Sequence, residues 1–140
     1  LDIGEAGDTE IEAVVELWRR CGLTRPWNDP YADIALARSS PTSRVLVGKA
    51  GEAPIATVMV GHDGHRGWVY YLAVDPARRR AGHGRMMMDA AQAWLAACGV
   101  PKLQLMVRHS NAEATGFYLA LGFADQAVSV FGKWIDGRAP

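Results

Sequence analysis

The stretch Leu72-Ala73-Val74-Asp75-Pro76-Ala77-Arg78-Arg79-Arg80-Ala81-Gly82-His83-Gly84-Arg85 decides how this chain is read. An apolar strand ends at Asp75-Pro76, and arginines and small residues follow. From about His83 a helical pattern then carries Met87, Ala90, Ala91, Trp94 and Leu95 on one face. Strand, glycine turn, helix is an anion site. The first N–H groups of the helix have no intrahelical acceptor, and its dipole adds partial positive charge at the same end. A P-loop needs Gly, four residues, then Gly-Lys-Ser/Thr, and no segment has it. A dinucleotide fingerprint starting at Gly82 would put Met87 where the third small residue belongs. Taken alone, an arginine triplet before a helix is also what a solvated surface turn looks like.

The downstream sequence adds a second signal. Arg79-x-x-Gly82-x-Gly84 after Val74-Asp75-Pro76 resembles the pyrophosphate-binding signature of the GNAT superfamily of acyl-CoA N-acyltransferases. Asn111-Ala112-Glu113-Ala114-Thr115-Gly116-Phe117-Tyr118-Leu119-Ala120-Leu121-Gly122-Phe123 is similar to the family's second signature. In finer detail Leu17-Trp18, Arg25 to Pro30 and Gly64-His65-Arg66-Gly67 resemble the YpeA-type subgroup.

The resemblance implies a mixed α/β sheet fold in the order β-α-α-β-β-β-α-β-α-β(β), as one domain over residues 1–140. The residue patterns agree with that order. Leu1 to Ala6 suits a first strand, and Ile11, Val14, Val15, Trp18 and Cys21 share a helix face that Gly22 is placed to stop. A loop with two prolines leads to a short helix from Tyr31 to about Arg38. Arg44 to Lys49, Ala53 to Val60 and Trp68 to Val74 read as three strands in a meander. Beyond the Gly82 helix, Lys102 to Val107 is expected as a strand, Asn111 to Leu121 as a helix, and Phe123 to Ile135 as one bent strand or a hairpin.

The 15 acidic and 15 basic residues cancel, which argues against a nucleic-acid partner. No apolar run has membrane-spanning length, no signal-peptide pattern stands at the start, and no metal-ligand pattern is present. Cys21 and Cys98 read as buried free thiols within helices, so a cytoplasmic location is expected. The exposed edges of a short sheet suit a homodimer.

Acyl transfer from a thioester to an amine needs a held donor, a neutral nucleophile, and relief of charge on the carbonyl oxygen and the leaving sulfur. The resemblance implies acetyl-CoA as donor. Its pyrophosphate would lie on Arg79, Arg80, Ala81, Gly82, His83, Gly84 and Arg85, and its pantetheine arm along the main chain of Leu72, Ala73 and Val74. Asn111 would contact that arm, or serve only as a helix cap. A backbone N–H of the same strand would act like an oxyanion hole. Tyr118 is the candidate general acid, though at reference pKa values donation to a thiolate is uphill by roughly 2 kcal/mol; without the resemblance it reads as an aromatic anchor.

An alkylammonium must lose a proton at a cost of about 4 to 5 kcal/mol near neutral pH. No base stands at the family's usual places: Met106 occupies the position where some relatives carry glutamate, and Trp68 to Val74 holds no carboxylate. Asp29, Asp33, His62, Asp63 and His65 remain, along with a water relay ending at backbone carbonyls or at Tyr70 or Tyr71. Each of these has an ordinary structural explanation in a turn. The amine acceptor, a small molecule or a peptide, is expected to meet Trp27, Asn28, Asp29, Tyr70 and Tyr71, with residues near Phe131 and Trp134 contributing. Two alternatives remain open: an acyl-CoA-binding module without turnover and, more weakly, a binder of nucleic acid or phosphoprotein through the basic loop.

Overall fold

The structure, a computed structural model, describes residues 1–139. Two compact units divide it, Leu1–Met106 and a second from Val107 onward. The first contains β1 (Asp2–Glu5), α1 (Ile11–Arg20), α2 (Pro30–Ser39), β2 (Ser43–Ala50), β3 (Ala53–His62), β4 (Gly67–Val74), α3 (His83–Ala97) and β5 (Leu103–Gln104). The strands form one sheet in the order β1-β2-β3-β4-β5. The first four are antiparallel, and β5 joins β4 in parallel.

Alternating side chains divide the core between the two faces of the sheet. On one face Val14, Val15, Leu17 and Trp18 of α1 and Ile34 and Ala37 of α2 close over Val45, Val47 and Ala73. The helix face extends to Leu17, which is fully buried. On the other face α3 buries Met87, Met88, Ala91 and Leu95, while Ala90 and Trp94 are half-buried. Two sheet glycines let this helix approach closely. A Cβ on Gly48 would lie 2.9 Å from Met87 Sδ, and one on Gly67 would lie 2.4 Å from Leu95 Cδ1.

The regular alternation fails once, in β4. Thr57 faces Ala73 and Met59 faces Tyr70, so three steps along β4 match two along β3. This extra residue is a β-bulge, and Tyr71 takes φ +54° there. The bulge turns the Tyr71 ring toward α1, where it stacks on Trp18 with centroids 3.7 Å apart and planes 4° apart. β5 meets β4 only at Gly67 and Trp68. The strand expected over Lys102 to Val107 is therefore shortened to two residues, its pairing ending on the near side of the β4 bulge.

The second unit holds α4 (Ala112–Ala120) followed by irregular chain. The final strand or hairpin expected at Phe123 to Ile135 does not form. The alternation of Val128, Ser129 and Val130 resembles a strand, but Asp125 Oδ1 accepts the Ala127 N–H at 2.8 Å and Ala127 takes φ +55°. This local turn breaks the extended run, and Val128, Val130, Phe131 and Ile135 are all exposed.

The cysteines also correct the expectation. Cys98 caps the end of α3 and is exposed, whereas Cys21 is partly buried and its thiol donates to the Val74 carbonyl at 3.3 Å. No helix among the described residues is long and apolar enough to cross a membrane.

Candidate active site

The link from β4 to α3 is built from the end of the strand outward. Asp75 N–H donates to the Ile55 carbonyl at 2.7 Å, fixing where the strand stops. Its carboxylate accepts the Ala77 N–H at 3.0 Å and the Arg20 guanidinium at 3.0 Å. Those two donors, the amide first, hold the Asp75 carboxyl below its usual range. Past the 3-10 turn Pro76–Arg78, Arg80 takes φ +67° and Gly82 takes φ +78°. A positive φ is strained for arginine and easy for glycine.

Gly82 is the N-cap of α3, and its carbonyl accepts the first helical bond, from Met86 N–H at 3.1 Å. The N–H groups of His83, Gly84 and Arg85 therefore precede the helical ladder, and no acidic residue sits in that first turn to compete for them. A Cβ on Gly82 would meet nothing within 4 Å, so the turn is open. Arg79, Arg80 and Arg85 are exposed and form no ion pair among the described residues, while Nδ1 of His83 is buried without a partner. Three free amides, three uncommitted guanidinium groups and an orphaned ring nitrogen fit an oligoanionic group such as a pyrophosphate.

The strand feeding this turn is open as well. From Val69 onward no strand of the described sheet lies on the β5 side of β4, so the main chain of Leu72, Ala73 and Val74 follows the bulge along an uncovered edge. An extended ligand can pair with such an edge as an added strand would.

The bulge also sorts the acceptor-side candidates. The Tyr71 hydroxyl donates to Asp33 Oδ2 at 2.7 Å, and the Asn28 side chain reaches the same hydroxyl. Burial, followed by the adjacent Asp33 carboxylate, pushes the Tyr71 phenol well above its ordinary range, so it stays protonated. Asp29 caps α2, accepting Tyr31 N–H at 2.9 Å and Ala32 N–H at 3.3 Å. Asp63 accepts the amides of His65 and Arg66, which hold its carboxyl low, the Arg66 amide contributing most. His62 Nδ1 accepts the Gly64 N–H at 3.1 Å, and His65 is exposed. Asp29, Asp63 and His62 are therefore occupied by their own turns, whereas Asp33 spends its side chain on Tyr71. Trp27 is 49% exposed and Tyr70 is 46% exposed. Burial and the Asp63 charge raise the Tyr70 phenol.

Sequence reasoning did not find the residue that fixes this geometry. Thr57 is fully buried; its hydroxyl donates to the Tyr71 carbonyl at 3.0 Å and accepts Trp18 Nε1 at 2.9 Å. The available signal was a single hydroxyl inside the apolar run from Ile55 to Val60.

In the second unit, Asn111 caps α4, with Oδ1 accepting Ala114 N–H at 3.0 Å. Tyr118 lies two turns further along the helix, partly buried between the rings of Phe117 and Phe123 at 5.0 and 5.6 Å. Burial pushes its phenol up to about 12.

Comparison with known proteins agrees with this geometry. The chain matches the acetyltransferase (GNAT) family over residues 11–123. It is 38% identical over 125 residues to acetyltransferase YE1169 of Yersinia enterocolitica, covering 89% of each chain. Among solved structures it resembles AAC(6')-Iy in complex with a bisubstrate analogue, with TM-score 0.81 at 18% identity over 95% of this chain and 97% of that one. It also resembles the aminoglycoside 6'-N-acetyltransferase AAC(6')-IG of Acinetobacter haemolyticus, with TM-score 0.79 at 18% identity over 97% and 100% of the two chains. The open strand edge and the free helix N-terminus thus belong to an acetyltransferase of the GNAT family, whose reaction is acetyl transfer to an amine.

Proposed function

We propose that this chain takes acetyl-CoA as donor and transfers the acetyl group to a primary amine by direct attack in a ternary complex. The observation that carries this reading is the open Gly82 turn, with its unpaired amides and free arginines directly downstream of the uncovered β4 edge. Coenzyme A supplies the thioester. In this reading the amides of His83, Gly84 and Arg85 grip its pyrophosphate, with Arg79, Arg80 and Ala81 lining the approach. Leu72, Ala73 and Val74 hold the pantetheine arm through main-chain groups, and a β4 amide polarises the thioester carbonyl. The family match runs across both compact units, which supports treating residues 1–140 as one catalytic domain.

Tyr118 is assigned to the leaving sulfur and Asn111 to the pantetheine arm. A phenol at about 12 facing an ordinary thiol is mismatched by about 5 kcal/mol, so Tyr118 donates only to a thiolate that is itself desolvated. Tyr118→Phe is expected to lower turnover about 100-fold while coenzyme A affinity stays unchanged. Unchanged turnover would remove the acid role. We place the chain nearest the YpeA-like subgroup and in the cytoplasm, on its sequence features.

Calorimetry against coenzyme A and acetyl-CoA tests the donor site, and absence of binding overturns this reading. Thiol release across amines, polyamines, amino acids and peptide N-termini then tests the reaction. The second reading, an acyl-CoA sensor, draws support from Met106, exposed where some relatives carry a glutamate. It predicts binding with no thiol release for any acceptor.

A further inference from the structure

Asp33 is a half-buried carboxylate with no cationic partner among the described residues. Oδ2 takes the Tyr71 hydroxyl at 2.7 Å, and Oδ1 has no partner there. Asp33 sits in the first turn of α2, whose dipole favours its negative charge. The phenol hydrogen of Tyr71 is committed to Asp33, so its oxygen can only accept from any further group, and the Asn28 side chain already approaches it.

Of the arginines that flank Asp33 in sequence, Arg38 is paired with Asp8 Oδ1 at 2.7 Å, and Arg25 is tied to the Gly22 and Thr24 carbonyls at 2.7 and 2.9 Å. The remaining groups around Tyr71 are the Trp18 ring and the Thr57 hydroxyl, both neutral. The site therefore has an unpartnered carboxylate oxygen and one negative charge, and its one neighbouring donor, the neutral Asn28 amide, is turned on Tyr71 Oη. Tyr71 is also held at φ +54°, a conformation that a tyrosine keeps only when its surroundings impose it. Trp27 and Tyr70, chain neighbours of Asn28 and Tyr71, add half-exposed aromatic faces that suit a cation.

We propose that Asp33 and Tyr71 form the acceptor subsite and receive the acceptor as an ammonium ion, with N–H groups donating to Asp33 Oδ1 and Tyr71 Oη. This inference rests on the acetyl-transfer reading and names its substrate class: amines that arrive as cations, with carboxylates and phosphates excluded at this point. Asp33 contributes the charge and also orients the Tyr71 hydroxyl.

The test is a titration of the full chain followed through the ring resonances of Tyr71, identified by their loss in Tyr71→Phe. The probes are ethylammonium chloride, sodium acetate and the less basic, uncharged isostere trifluoroethylamine, at matched ionic strength. Ethylammonium is expected to shift the Tyr71 signals saturably, and the other two are not. Asp33→Asn, which can still accept the Tyr71 hydroxyl, is expected to weaken ethylammonium binding about tenfold or more. In thiol-release assays the same variant raises KM for ethylamine by a much larger factor than KM for trifluoroethylamine. An equal loss with both amines would mean a purely structural role and overturn the proposal. So would the absence of a saturable ethylammonium shift, or the same shift in Asp33→Asn. A parallel acetyl-CoA titration separates the two readings: failure there removes the donor assignment, while the ammonium result is decided by its own titration.

Discussion

Of the three positive-φ residues beside the candidate site, Gly82, Arg80 and Tyr71, the first and the last reach that conformation by opposite means. At Gly82 the conformation comes free with the residue type, and the turn stands in open space with unpaired amides. At Tyr71 the same region of backbone space is forced on a bulky side chain. It is held by a stacked tryptophan, a buried threonine and a carboxylate. The first arrangement leaves its polar groups free for a ligand; the second uses most of them to stay in place. A site for a large anion is served by emptiness, whereas a precise acceptor contact is served by over-determination.

The largest expected effect breaks the Tyr71 side. Trp18→Ala removes a fully buried indole along with its stack and its hydrogen bond to Thr57, and is expected to cost about 3 to 5 kcal/mol of unfolding free energy in denaturant titration. A loss below 1 kcal/mol would show that the bulge holds without its tryptophan. Thr57→Val keeps the shape but strands the Trp18 Nε1–H and the Tyr71 carbonyl, for an expected cost of about 1 to 3 kcal/mol by the same measurement.

The Gly82 side is expected to respond in binding more than in folding. Gly82→Val should cost about 1 to 2 kcal/mol of stability through backbone strain. Coenzyme A affinity measured by calorimetry should fall by more, and Arg79→Ala should reduce it by less than Gly82→Val does. The reverse ranking would shift the grip from amides to guanidinium groups.

The smallest effect is expected at the end of the strand. Asp75→Asn keeps a capping oxygen but removes the charge facing Arg20, a loss expected to be under about 1 kcal/mol because the arginine partner is solvent-exposed. Because the folded Asp75 carboxyl lies below its ordinary value, its contribution is complete above the unfolded pKa. It fades as pH falls through the folded one, and acid titration of wild type and variant should converge there.

The same contrast explains what could be read from the sequence. Gly82, Gly84 and the arginines announce their turn by residue type, and Asn111 announces its cap, so the entry to α3 and the start of α4 were legible in the sequence. The bulge was not. Its cause is a set of contacts between Trp18, Thr57 and Tyr71, which lie far apart in the chain and follow no local pattern. For that reason Asp33 stood level with Asp29, Asp63 and the histidines until the structure showed which of them spend their side chains on their own turns. Phe123 to Ile135 failed in the opposite direction. Its alternation is that of a strand, but a strand exists only with a neighbour, and the Asp125 turn leaves this segment without one among the described residues.

The glycines beneath α3 carry a further consequence. Gly48 and Gly67 touch the helix near its two ends, through Met87 and Leu95, and so set the height at which it rests on the sheet. A helix moves nearly as a rigid rod, and Leu95 is about 18 Å along it from His83. A methyl group added at Gly67 would press on a buried leucine, and lifting that end would re-aim the amides at the other. The aim of the proposed anion site is thus partly written into the floor of the molecule, at two glycines of the sheet.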